Sequence, residues 1–300
     1  MKTAGYLQLK RFAIHDGPGI RTTLFLKGCP LSCQWCHNPE GISARPELAI
    51  HFSRCIACGD CAQICHCHQI VEGKHQFQRD QCNACGKCEA VCLHGALELF
   101  GKRISSAKAA ELLLEDRRFY GHGGGVTLSG GEPLLQSEFC AEVFQLLKAE
   151  DIHCAIDTCG EVSWNAFEQM LPLTDLFLYD IKLADSVKHK AYTGHGNERI
   201  LENLTRLDAA GKPIEIRMLL IPGYNLDAAD IEKAAAFLGD RKHLTAIRLL
   251  PYHSLARSKY RAVGRPDSMP KVPSPDFSDL EKAAEILRSH GLRVINALAS

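Results

Sequence analysis

The sequence predicts an α/β protein built around a parallel β-sheet, with a small cysteine-rich segment inserted after the first strand. Two observations predict this class. Short apolar runs that suit buried strands alternate along most of the chain with amphipathic stretches that suit helices. The segment from about residue 50 to 98 breaks the alternation, because it has few long apolar runs and is dense in Cys, Gly and His.

The predicted strands are short apolar runs, and the predicted helices carry apolar residues at intervals of three and four. The strands are Thr22–Lys27, Val126–Ser129, His153–Thr158, Leu176–Asp180, Ile214–Leu219 and Ile247–Leu250, with Leu292–Asn296 as a further candidate. The helices are Ser105–Arg118, Ser137–Ala149, Ala228–Leu238 and Ser278–Ser289. Strand–helix alternation of this kind favours parallel strands with helices outside the sheet.

The composition is that of a globular protein with a sizeable core. The chain has 300 residues, of which 46% are hydrophobic and 23% charged, and 35 Lys and Arg residues balance 35 Asp and Glu residues. A formal charge of zero does not favour binding to nucleic acid or to a membrane surface. No apolar run reaches the ~20 residues of a membrane span, and residues 1–10 lack a signal-like apolar stretch, so a cytoplasmic protein is expected.

The fifteen cysteines are clustered along the chain. Three lie between residues 29 and 36, nine lie between 55 and 92, and Cys140, Cys154 and Cys159 follow. Disulfides are rare in cytoplasmic proteins. Cysteines that recur at gaps of two and three residues therefore predict metal ligation rather than a disulfide framework.

The inserted segment consists of two similar halves, offset by 27 residues. Each half has the spacing C-x2-C-x2-C-x3-C of bacterial two-cluster ferredoxins, in which the fourth cysteine of each run binds the other cluster. The spacing predicts two [4Fe–4S] clusters. Their ligands are Cys55, Cys58, Cys61 and Cys92 for one cluster, and Cys82, Cys85, Cys88 and Cys65 for the other. A segment of this size buries little core by itself, so metal is expected to supply part of its folding energy.

Two alternatives remain open for this segment. Structural zinc would also use eight cysteines, although zinc sites usually combine C-x2-C pairs across a longer gap. At the second predicted cluster, Cys67 is an alternative to Cys65 as the fourth ligand. The proline that commonly follows the fourth cysteine is also missing, because His66 and Leu93 stand at the two positions.

A third group of cysteines, Cys29, Cys33 and Cys36, has the spacing C-x3-C-x2-C directly after the first predicted strand. Three thiolates hold three corners of a cubane cluster and leave one iron without a protein ligand. That iron can bind the amino and carboxylate groups of S-adenosylmethionine (SAM), in the way that catalytic metal sites keep one position open. On these cysteines alone, a zinc site completed by His37 remains an alternative.

The residues around these cysteines extend the pattern. His15–Thr22, with the sequence HDGPGIRT, precedes the first strand, Trp35 is the aromatic residue of the cysteine run, and His37–Glu40 follows it. With these motifs the chain resembles the glycyl radical enzyme activating enzymes of the radical SAM superfamily, as far as about Tyr260. The inserted segment resembles that of the longer family members, which the short pyruvate formate-lyase activating enzymes lack.

The resemblance implies a fold. It is a partial (β/α)6 barrel of TIM type, the radical SAM type, made of residues 1–49 and 99–300. Residues 50–98 form an inserted two-cluster ferredoxin-like α+β module. In such a barrel the functional residues lie at the carboxyl ends of the strands.

The resemblance also implies a SAM site. The amino group of SAM would be bound by Gly130, Gly131 and Glu132, and also by Asp157. Arg217 would bind the carboxylate end of SAM, and His253 would contact its ribose or adenine. The residues expected to bind SAM are Trp35, Cys36, His37, Gly130, Gly131, Glu132, Asp157, Asp180, Ile181, Lys182, Arg217 and His253, and those expected to be catalytic are Cys29, Cys33, Cys36 and Lys182. Each of these roles has an alternative. Asp157 could cap a turn, Asp180 and Lys182 could form an ion pair at the surface, and His253 could be structural.

The implied activity is reductive cleavage of SAM to methionine and a 5′-deoxyadenosyl radical, which removes a hydrogen from a glycine of a partner enzyme. The expected cofactors are three [4Fe–4S] clusters, with SAM as co-substrate. The expected partners are a glycyl radical enzyme and an electron donor such as flavodoxin or ferredoxin, and a monomer is expected. The alternatives are a radical SAM enzyme acting on a small molecule, a pure electron carrier and a zinc-stabilised interaction protein.

Overall fold

The computed structural model describes residues 1–296, and β-strands and helices alternate along most of them. The strands are β1 (Thr3–Ala13), β2 (Arg21–Leu26), β3 (Glu47–Ile50), β4 (His68–Val71), β5 (Lys74–Phe77), β6 (Leu97–Phe100), β7 (Lys102–Ser105), β8 (Gly125–Gly130), β9 (Cys154–Thr158), β10 (Leu176–Asp180), β11 (Ile214–Leu220), β12 (Leu244–Pro251) and β13 (Val294–Asn296). The helices are α1 (Asp60–Ile64), α2 (Lys87–Val91), α3 (Ser106–Leu114), α4 (Arg117–Tyr120), α5 (Ser137–Lys148), α6 (Trp164–Met170), α7 (Ser186–Thr193), α8 (Glu198–Ala209), α9 (Ala228–Gly239), α10 (Arg257–Ala262) and α11 (Phe277–Ser289).

Nine of the strands form one large sheet in the order β13-β12-β11-β10-β9-β8-β2-β1-β7. Each neighbouring pair from β13 to β2 is parallel. On the other side of β2, β1 pairs antiparallel with both β2 and β7. The order is linear over residues 1–296, so the sheet is open, with β13 and β7 at its edges.

The central strands are buried on both faces, as parallel strands between helices require. Every residue of β2 is buried, and so are the first four of β10. The main core joins side chains of these strands to the apolar faces of the surrounding helices, and Leu113, Phe144 and Leu238 are fully buried in it. Within residues 1–296 no helix combines the length and apolar character that crossing a membrane requires.

The strands predicted from apolar runs are all present, and none of their ends is shifted by more than three residues. The sequence did not predict β1 and β7, nor helices α6, α7, α8 and α10. One predicted helix, Ser105–Arg118, is interrupted and forms α3 and α4. The strand β1 was missed because it lacks a continuous apolar run. Its residues alternate between exposed and partly buried positions at the antiparallel side of the sheet.

The cysteine-rich segment lies between two strands that pair with each other. Antiparallel pairing of β3 with β6 brings its two ends side by side. The two halves also share a backbone conformation. Ala57 and Gly59 have positive φ angles, and so do Ala84 and Gly86, which follow them by 27 residues. Each half thus turns in the same way around its cysteines before a five-residue helix, α1 or α2.

A buried arginine joins three strands on the inner side of the sheet. Arg21 is 0% exposed. Its Nε donates to Thr127 Oγ1 at 2.6 Å, and its Nη1 donates to Pro18 O at 3.3 Å. Its Nη2 donates to Val126 O and to His153 O. Burial lowers the pKa of Arg21 to about 10, so the guanidinium stays charged at neutral pH.

We expect Arg21→Met to lower the free energy of unfolding by about 3 kcal/mol, because it leaves several buried oxygens without a donor. The control is Arg103→Met, since Arg103 is exposed and bonds only to Thr3. That change should stay within about 0.5 kcal/mol. The measurement is the midpoint of unfolding under anaerobic conditions, and equal midpoints for the two variants would contradict the role given to Arg21.

Candidate active site

A cavity of about 620 Å³ opens at the carboxyl ends of the parallel strands. Strands β8, β9 and β10 contribute polar side chains close to their ends, β11 contributes Arg217 from its middle, and the loop after β2 contributes thiols. The sequence-predicted residues that line the cavity are Cys29, Cys33, Trp35, Cys36, His37, Gly130, Gly131, Asp157, Asp180, Lys182 and Arg217. Parallel register brings these strand ends to one edge of the sheet although they lie far apart in sequence.

The three cysteines of the first motif share one loop, which hydrogen bonds hold from two sides. On one side, Ser32 N donates to Thr193 O at 2.8 Å, at the end of α7. On the other side, the Tyr260 hydroxyl of α10 donates to Gln34 O at 3.2 Å. Within the loop, Cys36 N donates to Cys33 O at 3.1 Å. The thiols of Cys29, Cys33 and Cys36 are therefore held against the cavity by a fixed backbone.

Two glycines, Gly130 at the end of β8 and Gly131 directly after it, allow this part of the chain to contact the loop after β2. A Cβ on Gly131 would lie 2.1 Å from Gly28 O, and a Cβ on Gly130 would lie 2.3 Å from Leu26 O. The close approach lets Gly131 N donate to Leu26 O at 2.9 Å and Glu132 N donate to Gly28 O at 2.7 Å. Both glycines also line the cavity. Their lack of a side chain therefore allows the close contact between the two chain segments and also leaves room for a ligand.

Glu132 lies behind the cavity wall rather than in it. Its side chain is 0% exposed and accepts hydrogen bonds from Leu134 N at 3.0 Å, from Thr158 Oγ1 at 2.9 Å and from Cys159 N at 2.7 Å. Burial raises the pKa of Glu132, although these donors oppose the shift. The carboxylate joins the end of β8 to the end of β9, and its predicted contact with SAM stays a prediction.

Two other predicted residues also lie outside the cavity lining. Ile181 is 2% exposed, and its backbone N donates to Arg217 O at 3.0 Å. His253 is exposed, and its ring stacks on that of His37 with 4.2 Å between the centroids. His37 Nε2 lies 3.0 Å from His253 O. His253 thus stands at the rim, next to a residue that lines the cavity.

The opposite wall carries a carboxylate between a hydroxyl and a guanidinium. Ser129 Oγ donates to Asp157 Oδ2 at 2.7 Å, and Arg217 Nη1 lies 3.2 Å from the same oxygen. Burial raises the pKa of Asp157 to about 6, and the positive charge of Arg217 limits the rise. Among residues 1–296, the buried Nε of Arg217 has no hydrogen-bond partner. One donor of this guanidinium is therefore free to bind an acceptor in the cavity.

A second ion pair lies on the neighbouring strand end. Lys182 Nζ lies 2.8 Å from Asp180 Oδ2, and Asp180 is the register partner of Arg217 in β11. Burial disfavours the charged form of Lys182, but Asp180 and the nearby thiols outweigh burial and raise the pKa of this lysine. Asp157, Asp180, Lys182 and Arg217 together present two negative and two positive groups to the cavity.

The structure adds cavity residues that the sequence did not identify. Gln8 and Lys10 come from β1, and Asp16 comes from the turn that follows it. Asp16 is 8% exposed and accepts a hydrogen bond from Thr23 Oγ1 at 2.8 Å. Asp16 belongs to the HDGPGIRT motif, so the sequence contained a signal for it, whereas Gln8 and Lys10 lie in the strand that was missed.

Cys159 is a fourth thiol in the same cavity. Its backbone N donates to Glu132 Oε2 at 2.7 Å, and its side chain is 5% exposed. In the sequence it has no cysteine close by, so no role was assigned to it. The fold places it next to Cys29 because the ends of β2 and β9 flank the end of β8.

Two smaller cavities divide the cysteines of the inserted segment. One is lined by Cys55, Cys58, Cys61 and Cys92. The other, of about 220 Å³, is lined by Cys65, Cys67, Cys82, Cys85 and Cys88. The two groups have the same members as the two ligand sets that the spacing predicts, with Cys67 in addition.

A mixed group of histidines and a thiol lies beside the first of these cavities. The ligand atoms of Cys61, His68 and His75 all lie within 4.8 Å of one another, and His68 Nδ1 is 2.8 Å from His75 Nε2. Such a set suits zinc. Because Cys61 also lines the cavity of four cysteines, zinc at this group and a cluster in that cavity would compete for one thiol.

The residues of the large cavity fit the groups that the sequence implies. Thiolates of Cys29, Cys33 and Cys36 are the ligand type that iron–sulfur clusters use. The free Nε of Arg217 suits a carboxylate, and the carboxylates of Asp157 and Asp180 suit an ammonium group. An amino acid zwitterion next to the three thiols would therefore meet a complementary wall.

Comparison with known proteins agrees with this geometry. The family model described as Radical SAM superfamily matches residues 23–238. The (2S)-3-sulfopropanediol dehydratase activating enzyme of Klebsiella oxytoca is 40% identical over 88% of this chain and 86% of its own length. The trans-4-hydroxy-L-proline dehydratase activating enzyme of Clostridioides difficile is 38% identical over 94% of this chain and 95% of its own. The pyruvate formate-lyase 2-activating enzyme of Escherichia coli is 33% identical over 97% and 91%.

Solved structures are similar as well. A domain of a pyruvate-formate lyase-activating enzyme from Bacteroides vulgatus superposes with a TM-score of 0.51 at 32% identity, and covers 58% of this chain and 99% of its own. A radical SAM methyltransferase from Sphaerobacter thermophilus superposes with a TM-score of 0.55 at 13% identity, over 92% of this chain and 66% of its own. The second likeness concerns the fold alone.

Proposed function

This chain belongs to the radical SAM superfamily and, within it, to the glycyl radical enzyme activating enzymes, and on that premise we propose that it cleaves SAM reductively and installs a glycyl radical on a partner enzyme. One observation carries the assignment of the site. The thiols of Cys29, Cys33 and Cys36 share a single cavity with Asp157 and Arg217, whose charges match an amino acid zwitterion.

In the proposed mechanism the cavity first binds and orients SAM. Asp157 and Asp180 accept hydrogen bonds from its ammonium group, and the free Nε of Arg217 donates to its carboxylate. The thiolates of Cys29, Cys33 and Cys36 would hold a [4Fe–4S] cluster, which would supply the electron for cleavage of the C5′–S bond of SAM to methionine and a 5′-deoxyadenosyl radical. Trp35 is part of the cysteine loop and is buried in an apolar cluster, and the ring of His37 lies against that of His253. The radical would take the α-hydrogen of a glycine on the partner and leave as 5′-deoxyadenosine.

The proposed architecture is a partial (β/α)6 barrel of residues 1–49 and 99–300, with residues 50–98 as a ferredoxin-like module. We place two further [4Fe–4S] clusters in the two cavities of the module, because their linings separate the cysteines into the two predicted ligand sets. The module, or an external carrier such as flavodoxin or ferredoxin, delivers the electron to the reactive cluster. We place the enzyme in the cytoplasm as a monomer. The glycyl radical enzyme that it serves is expected to be encoded next to it.

The activity is tested with the anaerobically reduced protein, SAM and a candidate partner. We expect 5′-deoxyadenosine to form and a glycyl radical signal to develop on the partner in electron paramagnetic resonance spectra. Cys36→Ala is the control and should abolish both. Formation of 5′-deoxyadenosine without a radical on any partner would favour action on a small molecule, and failure to form it would overturn the assignment.

Metal content tests the cluster assignments. We expect about twelve iron and twelve sulfide per chain from three clusters. Cys36→Ala should reduce the iron to about eight, because it removes one of only three ligands. Cys159→Ala is the matched control and should keep about twelve, because that thiol lines the same cavity but lies outside the C-x3-C-x2-C run. Zinc in place of iron would contradict the proposal, and loss of iron from the Cys159 variant would make that thiol a ligand.

The raised pKa of Asp157 predicts pH-dependent binding of SAM. Below about pH 6 the carboxyl is protonated and no longer attracts an ammonium group, so affinity should rise as the pH increases through 6. Asp157→Asn should bind about tenfold more weakly at pH 7.5 and show little pH dependence between 5.5 and 7.5, since one charge-assisted hydrogen bond is lost. Dissociation constants from anaerobic equilibrium dialysis measure this. The exposed Asp151→Asn variant should behave like the wild type.

A further inference from the structure

The second cavity of the ferredoxin-like module contains five thiols, one more than a [4Fe–4S] cluster requires. The additional thiol belongs to Cys67, which is 2% exposed. Its sulfur lies 3.7 Å from His66 Nε2, and it lines the same cavity as the thiol of Cys65, the predicted fourth ligand. A cysteine buried beside a full ligand set is not accounted for by the ferredoxin spacing.

The backbone explains why both thiols face the same cavity. Residues 65–68 form a turn after α1, which is closed by the hydrogen bond that His68 N donates to Cys65 O at 3.1 Å. The turn keeps Cys65 and Cys67 close together, and both line the second cavity. On the far side of the turn, Gln78 N donates to Cys67 O at 2.8 Å and holds the second position. Neither thiol needs a rearrangement of the chain to reach the cavity.

The other half of the module provides an internal comparison. The repeat offset of 27 residues relates Cys65 to Cys92, and it relates Cys67 to His94. His94 lines the first cavity at the position that Cys67 has in the second. The first cavity therefore contains four thiols and the second contains five, so the surplus thiol is a property of the second site.

We propose that Cys65 and Cys67 are alternative ligands for the same corner of the second cluster. The inference rests on the proposed function, in which this module binds two clusters. In the exchange one iron–thiolate bond forms as the other breaks, the proton of the entering thiol passes to the departing thiolate, and no electron is gained or lost. The thiol that is not bound stays in the lining of the same cavity. The second cluster would therefore survive the loss of either cysteine.

Metal analysis of full-length variants purified anaerobically tests this proposal. We expect Cys65→Ala and Cys67→Ala each to keep about twelve iron per chain, and the double variant to keep about eight. Cys88→Ala is the matched control, because its position in the same cavity has no second thiol two residues away, and it should keep about eight. The reduced Cys65→Ala protein should retain the resonance signal of the second cluster with altered g values, because its ligand has changed.

The outcomes separate the two proposals. About eight iron in Cys65→Ala alone would show that Cys67 does not replace Cys65, and about eight in Cys67→Ala alone would make Cys67 the sole ligand. Either result overturns the exchange. A wild-type protein with only about four iron would instead contradict the two-cluster module itself. The circular dichroism spectrum of each variant, which does not depend on electron transfer through the module, reports that the variant is folded.

Discussion

The close contact between the loops after β2 and β8 is the constraint on which the active site depends. The backbone at Gly131 lies so near Gly28 O that no side chain fits between them. This contact places the cysteine loop against the polar ends of β8 and β9. The buried carboxylate of Glu132 then bonds to both Thr158 and Cys159, and so fixes β9 relative to the same loop. Gly130, Gly131 and the buried Glu132 thus position the groups that line the cavity.

The cavity that results is balanced in charge. Asp157 lies against Arg217, and Asp180 lies against Lys182, on adjacent strand ends. Charges taken out of water are stable only when they are paired. The pairing keeps the site close to neutral, and the unpartnered Nε of Arg217 leaves one donor for a ligand. A zwitterion such as the amino acid part of SAM is the kind of molecule that this arrangement accommodates.

The cysteine-rich segment from residue 50 to 98 is stabilised differently. Its two halves repeat both a cysteine spacing and a set of left-handed backbone positions, at Ala57 and Gly59 and again at Ala84 and Gly86. The buried cluster at this segment has only four members, Leu48, Ile50, Cys88 and Leu97. So small a core contributes little stability, and metal binding would couple to folding there. The large sheet, by contrast, packs against an extensive apolar core.

The sequence by itself determined what depends on neighbours along the chain. The C-x3-C-x2-C and C-x2-C-x2-C-x3-C spacings predict ligand sets because cysteines a few residues apart can reach one cluster, and the apolar runs identify the central strands because both of their faces are buried. Tertiary structure alone decided the strand β1 with Gln8 and Lys10, the presence of Cys159 in the cavity, and the position of Glu132 behind its wall. These features depend on strand order and on packing between distant segments, which no local pattern of residues records.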